Sequence, residues 1–508
     1  MTAKNKNKLW VSVLLSVLIT ISILAFFSAL WYNNLYGDVG FDAILFTLFS
    51  DINGADNSLL LRYAFGAGVP TVLTSAIVNS LLFFPFKKQI FFKGKKLYPF
   101  SKTAKKIISA VLCVSLIFSA SSFVSLPEWL FAKFRRTTLY EEHFVNPENV
   151  TLTFPDQKRN LIYIFLESVE TTYFSKDEGG GMDKNLMPNL YSLAKENLNF
   201  SHLNGEIGGG RTPTASTWTV AAMVSQTAGI PLKLPIGIED NSYGEYSAFL
   251  PGALSINDIL HENGYNQALM VGSDANFGGR YDYFSQHGVD KIYDIYTAYD
   301  DGIIPKDYWV WWGMEDKYLF EYAKSEITKM SEGEDPFAFT MLTVDTHFVD
   351  GYKCELCKDE HSEPYENVIS CSDRQVYEFV EWIKAQPFYE NTTVIISGDH
   401  LTMDEGYIDR TAGEEYERHV YNCFLNAPIT AENTFNRDFT TFDMFPTTLA
   451  CLGVQIEGEK LALGTNLFSG EKTLTEQLGY DYVNEELKEM SDYYTNKILN
   501  AYKKSKTE

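Results

Sequence analysis

The chain has 508 residues and a formal net charge of −24. It is too long for one ordinary hydrophobic core and too acidic to present a surface for nucleic acid. Lys and Arg outnumber Asp and Glu up to residue 106, whereas acidic residues dominate the remainder. We therefore expect a basic N-terminal region and an acidic body that does not bind nucleic acid.

The N-terminal region contains three uncharged stretches that are long enough to cross a bilayer: residues 9–32, 63–86 and 107–127. As helices, each reaches at least about 30 Å, the thickness of the hydrocarbon core. Lysines precede the first stretch and fill the loop between the second and third, which predicts that both segments face the cytoplasm. We expect a multi-pass protein of the cell membrane with its body outside the cytoplasm.

This pattern predicts three regions: a membrane domain (1–127), a juxtamembrane linker (128–157) and an extracytoplasmic body (158–508). Residues 43–50 are too short to span and indicate a re-entrant or interfacial segment. Aromatic and basic side chains in residues 129–136 fit either an amphipathic helix on the outer membrane face or a linker helix packed on the body.

Five short apolar runs in the body predict β-strands, and helical patterns separate them. The runs are residues 161–166, 268–271, 337–344, 393–398 and 420–425. A helix is predicted to open at residues 187–189, where Pro188 suits the first turn. Strands that alternate with helices predict an α/β fold with a mainly parallel sheet sandwiched by helices.

Polar side chains follow three of these strands. Glu167 comes directly after residues 161–166, His347 follows the third strand, and Asp399-His400 follow the fourth. Asp399 alone would fit a turn that caps the next element. However, the carboxyl ends of parallel strands meet at one edge of a sheet, which predicts that all four side chains converge there. Carboxylates and an imidazole suit a divalent cation such as Mn²⁺, Mg²⁺ or Zn²⁺.

A candidate nucleophile lies in residues 208–232, GGGRTPTASTWTVAAMVSQTAGIPL. Glycines and a proline give way to a helical pattern near Ser216, so several hydroxyls cluster at a predicted helix N-terminus, where backbone N–H groups favour an anion. Ser216 could equally serve as the helix cap. A hydroxyl beside a metal ion would make an attacking nucleophile.

These stretches resemble the alkaline phosphatase/sulfatase superfamily and, within it, the membrane-anchored phosphoglycerol transferases. That group includes lipoteichoic acid synthases and the enzymes that modify periplasmic glucans. The resemblance rests on NLIYIFLES, MPNLYSLAKENLNF, TWTVAAMVSQTAGIPL, the segment around NFGGRYDYFSQHG, and VIISGDH, and it covers most of residues 158–455. It implies that the extracytoplasmic body, residues 158–508, is a sulfatase-like catalytic domain.

The resemblance also implies roles for individual residues. Glu167, Asp399 and His400 match metal ligands, and the nucleophile oxygen completes the set. Counting back from a Trp-Thr pair (218–219) places Ser216 at the nucleophile position, with Thr217 as the alternative. The positions that hold substrate phosphate and glycerol correspond to Arg280 and His347, and His347 could instead give a proton to the leaving group. An aromatic residue is expected two positions before Arg280, but this chain has glycine there.

The implied reaction is transfer of phosphoglycerol from phosphatidylglycerol to a glycan, glycolipid or polyglycerophosphate through a covalent Ser/Thr intermediate. It implies one divalent metal ion, with Mn²⁺ preferred over Mg²⁺ or Zn²⁺. The alternatives are a phosphoethanolamine transferase, a sulfatase-type hydrolase and a non-catalytic lipid- or glycan-binding protein. The formylglycine signature of sulfatases is missing, and so are the cysteines that flank the nucleophile in phosphoethanolamine transferases.

Two further groups of residues each allow two interpretations. The tryptophans at positions 309, 311 and 312 fit either a substrate-contacting rim or ordinary core packing. Of the six cysteines, Cys354, Cys357 and Cys371 lie in one polar insertion. They could bind structural zinc, but because no fourth ligand is evident we expect one disulfide and one remaining thiol.

Overall fold

A computed structural model describes residues 3–37, 41–49, 57–84, 89–233, 248–413 and 416–501. The chain forms two compact units. One contains residues 1–41 and 56–130, and the other contains residues 42–55 and 131–508. The domain limits at residues 127 and 157 stay a prediction.

The N-terminal region is largely helical, with a small hairpin of β1 (Ile90–Phe92) and β2 (Lys95–Tyr98). Its helices are α1 (Ala3–Tyr36), α2 (Phe41–Phe49), α3 (Asn57–Tyr63), α4 (Val69–Phe83) and α5 (Lys102–Phe123), with a π-helical turn, Ala64–Gly68, between α3 and α4. Buried Ile19, Ile23 and Leu82 form a small core in the first unit.

Three helical segments in the described part of the chain are long and apolar enough to cross a membrane: Trp10–Tyr36, Leu60–Phe83 and Lys102–Phe123. They overlap the three predicted stretches. Residues 85–86, at the end of the second predicted stretch, lie outside the described residues. The same is true of residue 50, at the end of the predicted re-entrant or interfacial segment.

The segment after α5 exposes aromatic rings. Helix α6 (Leu126–Ala132) is short, and the exposed fractions of Phe131 and Phe134 are 70% and 85%. Arg135 and Arg136, in contrast, form ion pairs with Glu489 and Asp492 of the body. The exposed rings suit a membrane surface and the ion pairs suit a linker packed on the body, so both interpretations of residues 129–136 stay predictions.

The body is built on a six-stranded sheet in the order β6-β5-β7-β4-β8-β9. All neighbours are parallel except β8 and β9, which are antiparallel. The strands are β4 (Asn160–Leu166), β5 (Asn266–Val271), β6 (Lys291–Tyr293), β7 (Phe337–Leu342), β8 (Thr392–Gly398) and β9 (Asn422–Leu425). Shorter pairs join β3 (Leu152–Thr153) to β10 (Gln455–Ile456) and β11 (Lys460–Leu461) to β12 (Gly464–Thr465).

Helices cover both faces of this sheet. They are α7 (Leu139–His143), α8 (Pro188–Glu196), α9 (Thr219–Ala228), α10 (Ile256–Glu262), α11 (Arg280–Gln286), α12 (Ile295–Asp300), α13 (Asp316–Ser331), α14 (Pro364–Lys384), α15 (Glu405–Thr411), α16 (Met444–Cys451), α17 (Leu474–Leu478) and α18 (Tyr480–Lys488).

Alternate side chains of β4 enter two separate hydrophobic cores. Leu161, Tyr163 and Phe165 join the core that includes residues of α9, α10 and α16. Ile162 and Ile164 point the other way and pack with residues of α8, α13 and α14. Because successive strand residues face opposite sides, a strand buried on both faces must be apolar at every position.

The predicted α/β fold with a mainly parallel sheet is confirmed, and each of the five predicted runs contains a strand. Strand β6 was missed because it has only three residues and none of them is buried. The helix predicted to begin near Ser216 begins at Thr219 instead. A turn accounts for the difference: the Ser216 N–H donates to the Pro213 carbonyl, and Ala215 has a φ of 59°.

We predict that Gly398→Ala destabilises the body. A Cβ at the end of β8 would lie 1.9 Å from the Val169 carbonyl oxygen, so backbone must move, and the expected loss is about 1–3 kcal/mol of unfolding free energy. Denaturant titration of the full-length protein in detergent measures it. Gly406→Ala is the control, because its Cβ meets only the ends of side chains, at 3.7 Å or more. Equal stability of the two variants would contradict the prediction.

Candidate active site

Glu167 is held at the carboxyl end of the central strand β4, and its side chain is buried. The Ser168 hydroxyl donates to Glu167 Oε1 at 2.8 Å, and the Glu167 N–H donates to Thr343 Oγ1 at 3.0 Å. Ser168 adopts a left-handed backbone with a φ of 56°. Such strained positions are common where a strand end must aim a functional side chain.

Asp399 and His400 follow β8, the neighbour of β4 on one side, and both are fully buried. Asp399 Oδ1 accepts the N–H groups of Ser168 and His400 at 2.8 and 2.7 Å. His400 Nδ1 lies 2.8 Å from the Leu401 carbonyl oxygen. Because a carbonyl oxygen only accepts, Nδ1 carries a proton, and in the neutral ring Nε2 keeps its lone pair for another partner.

These three side chains converge as predicted. His400 Nε2 lies 3.5 Å from Glu167 Oε1 and 3.4 Å from Asp399 Oδ2. One ligand atom of each residue lies within 4.8 Å of the other two. The structure therefore brings distant parts of the chain to one edge of the sheet.

The cluster is short of positive charge. Burial alone would raise the pKa of Glu167, but the charge of the His400 ring and the Ser168 hydrogen bond act against burial, and the net shift is downward. Burial and the Glu167 charge raise the pKa of Asp399 to about 8. Burial disfavours charge on His400, yet Asp399 and Glu167 prevail and raise the pKa of its ring.

A divalent cation fits this cluster. Asp399 Oδ2 is buried and has no hydrogen-bond partner among the described residues. Ligands placed tetrahedrally at about 2.1 Å from an ion are separated by about 3.4 Å, which agrees with the separations around His400 Nε2. We infer that Glu167, Asp399 and His400 can together hold one cation.

Thr219 supplies a fourth oxygen at the same spacing. Its Oγ1 lies 3.3 Å from Glu167 Oε2 and 3.4 Å from His400 Nε2. Thr219 is the first residue of α9, and extended Trp218 precedes it as the N-cap residue. The hydroxyl therefore lies at a helix N-terminus, where unpaired N–H groups and the helix dipole favour a phosphate.

Ser216 and Thr217 precede this position. Ser216 is fully buried, and its hydroxyl has no hydrogen-bond partner among the described residues. Thr217 is half-buried. Neither residue makes a hydrogen bond to the carboxylates or to His400 in the described contacts, whereas Thr219 contacts both Glu167 and His400. The sequence analysis used Thr219 only to count back to the expected nucleophile position. Its place directly before the helical run VAAMV was the signal that could have identified it as the first residue of α9.

Gln226 joins α9 to the end of β8. Its amide Nε2 donates to the carbonyl oxygens of Gly398 and Asp399 at 2.9 and 3.3 Å. Its Oε1 accepts the Tyr163 hydroxyl at 2.7 Å. This buried amide positions the helix that begins at Thr219 relative to the strand that ends before Asp399. Sequence reasoning did not identify it.

Glu170 and Arg418 form a second buried contact behind the cluster. Arg418 Nε lies 2.8 Å from Glu170 Oε2, and its Nη2 lies 2.5 Å from Oε1. Glu170 Oε1 also accepts the Thr402 N–H at 3.0 Å. The pair therefore fixes the loop that follows His400, and Arg418 supplies the charge that a buried carboxylate requires.

Arg280 and His347 lie near enough to influence the cluster electrostatically. Burial lowers the pKa of Arg280 to about 10, and Glu167 opposes this shift. Arg280 Nη2 donates to Ser273 Oγ at 2.9 Å and to the Asp274 carbonyl at 2.7 Å. Burial also lowers the pKa of His347, against the attraction of Glu167.

An aromatic wall stands beside His347. The Trp312 ring lies 4.6 Å from the His347 ring, centroid to centroid, and 5.3 Å from the Phe277 ring. Trp312 Nε1 is buried without a hydrogen-bond partner among the described residues. Trp309, in contrast, is 41% exposed. Trp312, one of the three tryptophans noted in the sequence, therefore packs directly against the candidate site residue His347.

Comparison with known proteins identifies the family. Residues 159–454 match the family model named Sulfatase, which is more than half of the chain. The chain belongs to the Sulfatase family. The resemblance to the alkaline phosphatase/sulfatase superfamily is confirmed, and members of that superfamily use a divalent metal ion.

Several curated proteins are similar to this chain. Phosphoglycerol transferase I from Xanthomonas campestris pv. campestris is 34% identical over 315 residues, which cover 61% of this chain and 43% of that protein. Phosphoglycerol transferase I from Citrobacter koseri is 29% identical over 410 residues, covering 78% of this chain and 49% of that protein. The chain thus spans about half the length of these relatives.

Solved structures are also similar. The lipoteichoic acid synthase LtaP from Listeria monocytogenes matches with a TM-score of 0.46 and 18% identity, covering 63% of this chain and 79% of that one.

We predict that affinity for Mn²⁺ rises with pH. The pKa of Asp399 is raised to about 8, so below that pH the ion must displace a proton, and binding weakens as pH falls. Calorimetric titration of the full-length protein in detergent from about pH 6 to about pH 8 measures the trend.

Two variants control this measurement. Asp399→Asn should abolish high-affinity Mn²⁺ binding because it removes an anionic ligand. Asp409→Asn changes an exposed carboxylate and should bind Mn²⁺ like the wild type. Binding that does not vary with pH and survives Asp399→Asn would rule out this cation site.

Proposed function

We propose that the protein transfers phosphoglycerol from phosphatidylglycerol to a hydroxyl on a glycan, a glycolipid or a growing polyglycerophosphate, with Thr219 as nucleophile. The observation that supports it most is the Thr219 hydroxyl, which lies within 3.4 Å of both Glu167 and His400 at the start of α9. The names of the curated relatives support the transferred group.

The assignment of Thr219 replaces Ser216 and Thr217 as the preferred nucleophile. Its support is geometric: Thr219 Oγ1 lies 3.3 Å from Glu167 Oε2 and 3.4 Å from His400 Nε2, the separation expected between two ligands of one ion. When bound by Glu167, Asp399 and His400, a divalent cation lowers the pKa of a neighbouring hydroxyl and offsets phosphate charge. We propose Mn²⁺ as that ion, with Mg²⁺ or Zn²⁺ as alternatives.

In the first half-reaction, Thr219 Oγ1 attacks the phosphorus of the lipid phosphodiester. The new bond is Thr219 O–P, and the bond that breaks joins phosphorus to the diacylglycerol oxygen. The Thr219 hydroxyl releases its proton to solvent, and the diacylglycerol oxygen takes up a proton from solvent, so no net proton is gained or lost. N–H groups at the α9 N-terminus stabilise the charge that develops on the phosphate.

In the second half-reaction, an acceptor hydroxyl attacks the phosphorus of glycerophospho-Thr219. Its O–P bond forms as the Thr219 O–P bond breaks, and Thr219 regains a proton. The same phosphate therefore stays in one place while the lipid leaves and the acceptor enters.

His347 suits a hydrogen-bond acceptor better than a proton donor, which was one of the two roles considered for it from the sequence. Its Nδ1 lies 2.6 Å from the Phe348 carbonyl oxygen, so Nδ1 carries the proton. Because burial lowers the pKa of this ring, the ring is neutral near pH 7 and Nε2 accepts. We propose that His347 accepts a hydrogen bond from the glycerol moiety or takes the proton of the acceptor hydroxyl, and that Arg280 steers the phosphate.

The donor would be reached from the membrane. The three helical segments that can span it would hold the body close to its lipid and raise the local concentration of donor. We propose that the body lies outside the cytoplasm, as the distribution of lysines predicts.

We predict that Thr219→Ala lowers release of diacylglycerol from phosphatidylglycerol on the order of 10³-fold, because the attacking atom is removed. Thr219→Ser should retain turnover. Fluorescent phosphatidylglycerol and the full-length protein in mixed micelles provide the assay, and mass spectrometry locates the glycerophospho adduct.

Ser216→Ala and Thr217→Ala are the matched controls, since each removes a nearby hydroxyl. Both should keep turnover within about tenfold of the wild type. If Ser216→Ala abolished the adduct while Thr219→Ala kept it, the nucleophile would be Ser216. Release of glycerophosphate to water at the full rate without an acceptor would identify a hydrolase instead.

We predict that Trp312→Ala raises KM for the lipid donor with a smaller effect on kcat, since the ring lies against His347, which we propose contacts the glycerol head group. A loss of about 1–3 kcal/mol in kcat/KM is expected for removing a pocket aromatic. Steady-state kinetics measure it, and exposed Trp309→Ala is the control. Equal kinetics of the two variants would mean that Trp312 only fills space.

A further inference from the structure

Three cysteines form a compact cluster outside the candidate active site. Cys354 and Cys357 lie in a turn between β7 and α14, where the Cys357 N–H donates to the Cys354 carbonyl at 3.1 Å. Cys371 lies on α14. Cys354 and Cys371 are 4% and 1% exposed, and Cys357 is half-buried.

The separations of the sulfur atoms do not fit a disulfide. Cys354 Sγ lies 3.6 Å from Cys357 Sγ and 3.9 Å from Cys371 Sγ, and all three cysteines are free. A disulfide requires about 2.05 Å. The disulfide expected from the sequence is therefore not formed in the structure.

The same separations fit a metal ion. Thiolates at about 2.3 Å from a tetrahedral Zn²⁺ are separated by about 3.8 Å, between the two observed values. The three sulfur atoms all lie within 4.8 Å of one another. In addition, Gln375 Nε2 donates to Cys371 Sγ at 3.5 Å, the kind of outer hydrogen bond that stabilises a coordinating thiolate.

We propose that Cys354, Cys357 and Cys371 bind one structural Zn²⁺, with water or another small ligand in the fourth position. Thiolates select soft or borderline ions such as Zn²⁺, whereas two carboxylates and one imidazole also accept Mn²⁺ or Mg²⁺. The cysteine cluster is therefore the more selective of the two for Zn²⁺, and the zinc site does not depend on the proposed transferase reaction.

The zinc site would anchor the segment between His347 and α14. Two other contacts already hold this segment: Asn367 Oδ1 accepts the N–H groups of Glu360 and His361 at 2.7 and 2.9 Å, and the Tyr365 hydroxyl donates to the Thr346 carbonyl at 2.8 Å. The cluster joins the middle of the segment to the helix. Removing the ion should loosen it, because binding energy at such a site contributes to folding.

Elemental analysis of the full-length protein in detergent tests the proposal. The wild type should hold one zinc per chain after exhaustive dialysis, and Cys371→Ser or the half-buried Cys357→Ser should lower that content at least about tenfold. Cys113→Ser, which changes a thiol in α5, should keep it. Glu167→Gln should keep it too, which separates this site from the candidate active site. Zinc lost with Glu167→Gln but kept in Cys371→Ser would overturn the proposal.

Two measurements on the wild type apply even where a cysteine variant does not fold. Replacement of zinc by Co²⁺ should produce thiolate-to-metal charge-transfer absorption in the near ultraviolet. Alkylation followed by peptide mapping should find the three thiols protected in the native protein and reactive after a strong chelator removes the ion. A disulfide in the map, or three reactive thiols without metal, would refute the zinc site.

Discussion

The body depends on placing two buried carboxylates next to each other. Glu167 and Asp399 end adjacent parallel strands, so their backbones are fixed before any ligand arrives, and His400 Nε2 lies within 3.5 Å of both. Such a cluster costs free energy in a protein interior unless a positive charge compensates it. This cost falls at one edge of the sheet, where, in our proposal, a cation compensates the charge and the start of α9 holds the phosphate.

The surrounding contacts keep that arrangement rigid. Gln226 ties α9 to the end of β8, and the pair of Glu170 and Arg418 fixes the loop after His400. On both faces of β4, apolar side chains lock the strand between two cores. Because metal ligation and phosphate transfer tolerate only small errors in position, the support around the ligands matters as much as the ligands.

Periodicity and strand ends were enough to predict the α/β fold and the convergence of Glu167, Asp399 and His400, because strand burial and the common edge of parallel strands are local rules. The start of α9 was misplaced by three residues. Pro213 and the positive φ of Ala215 form a turn there, and propensity does not locate such turns. The spacing of the cysteine sulfurs and the bridging amide of Gln226 depend on tertiary packing, which no local pattern in the sequence encodes.

The Gln226 bridge limits how this region can be exchanged between family members. A chimera that carried a foreign α9 would need an amide at the same helical position to reach the Gly398 and Asp399 carbonyls. One inserted or deleted residue between Thr219 and Gln226 would rotate that side chain by about 100° around the helix axis. The number of residues between Thr219 and Gln226 must therefore stay the same. Grafts or insertions that change it would move the Thr219 hydroxyl away from the end of β8.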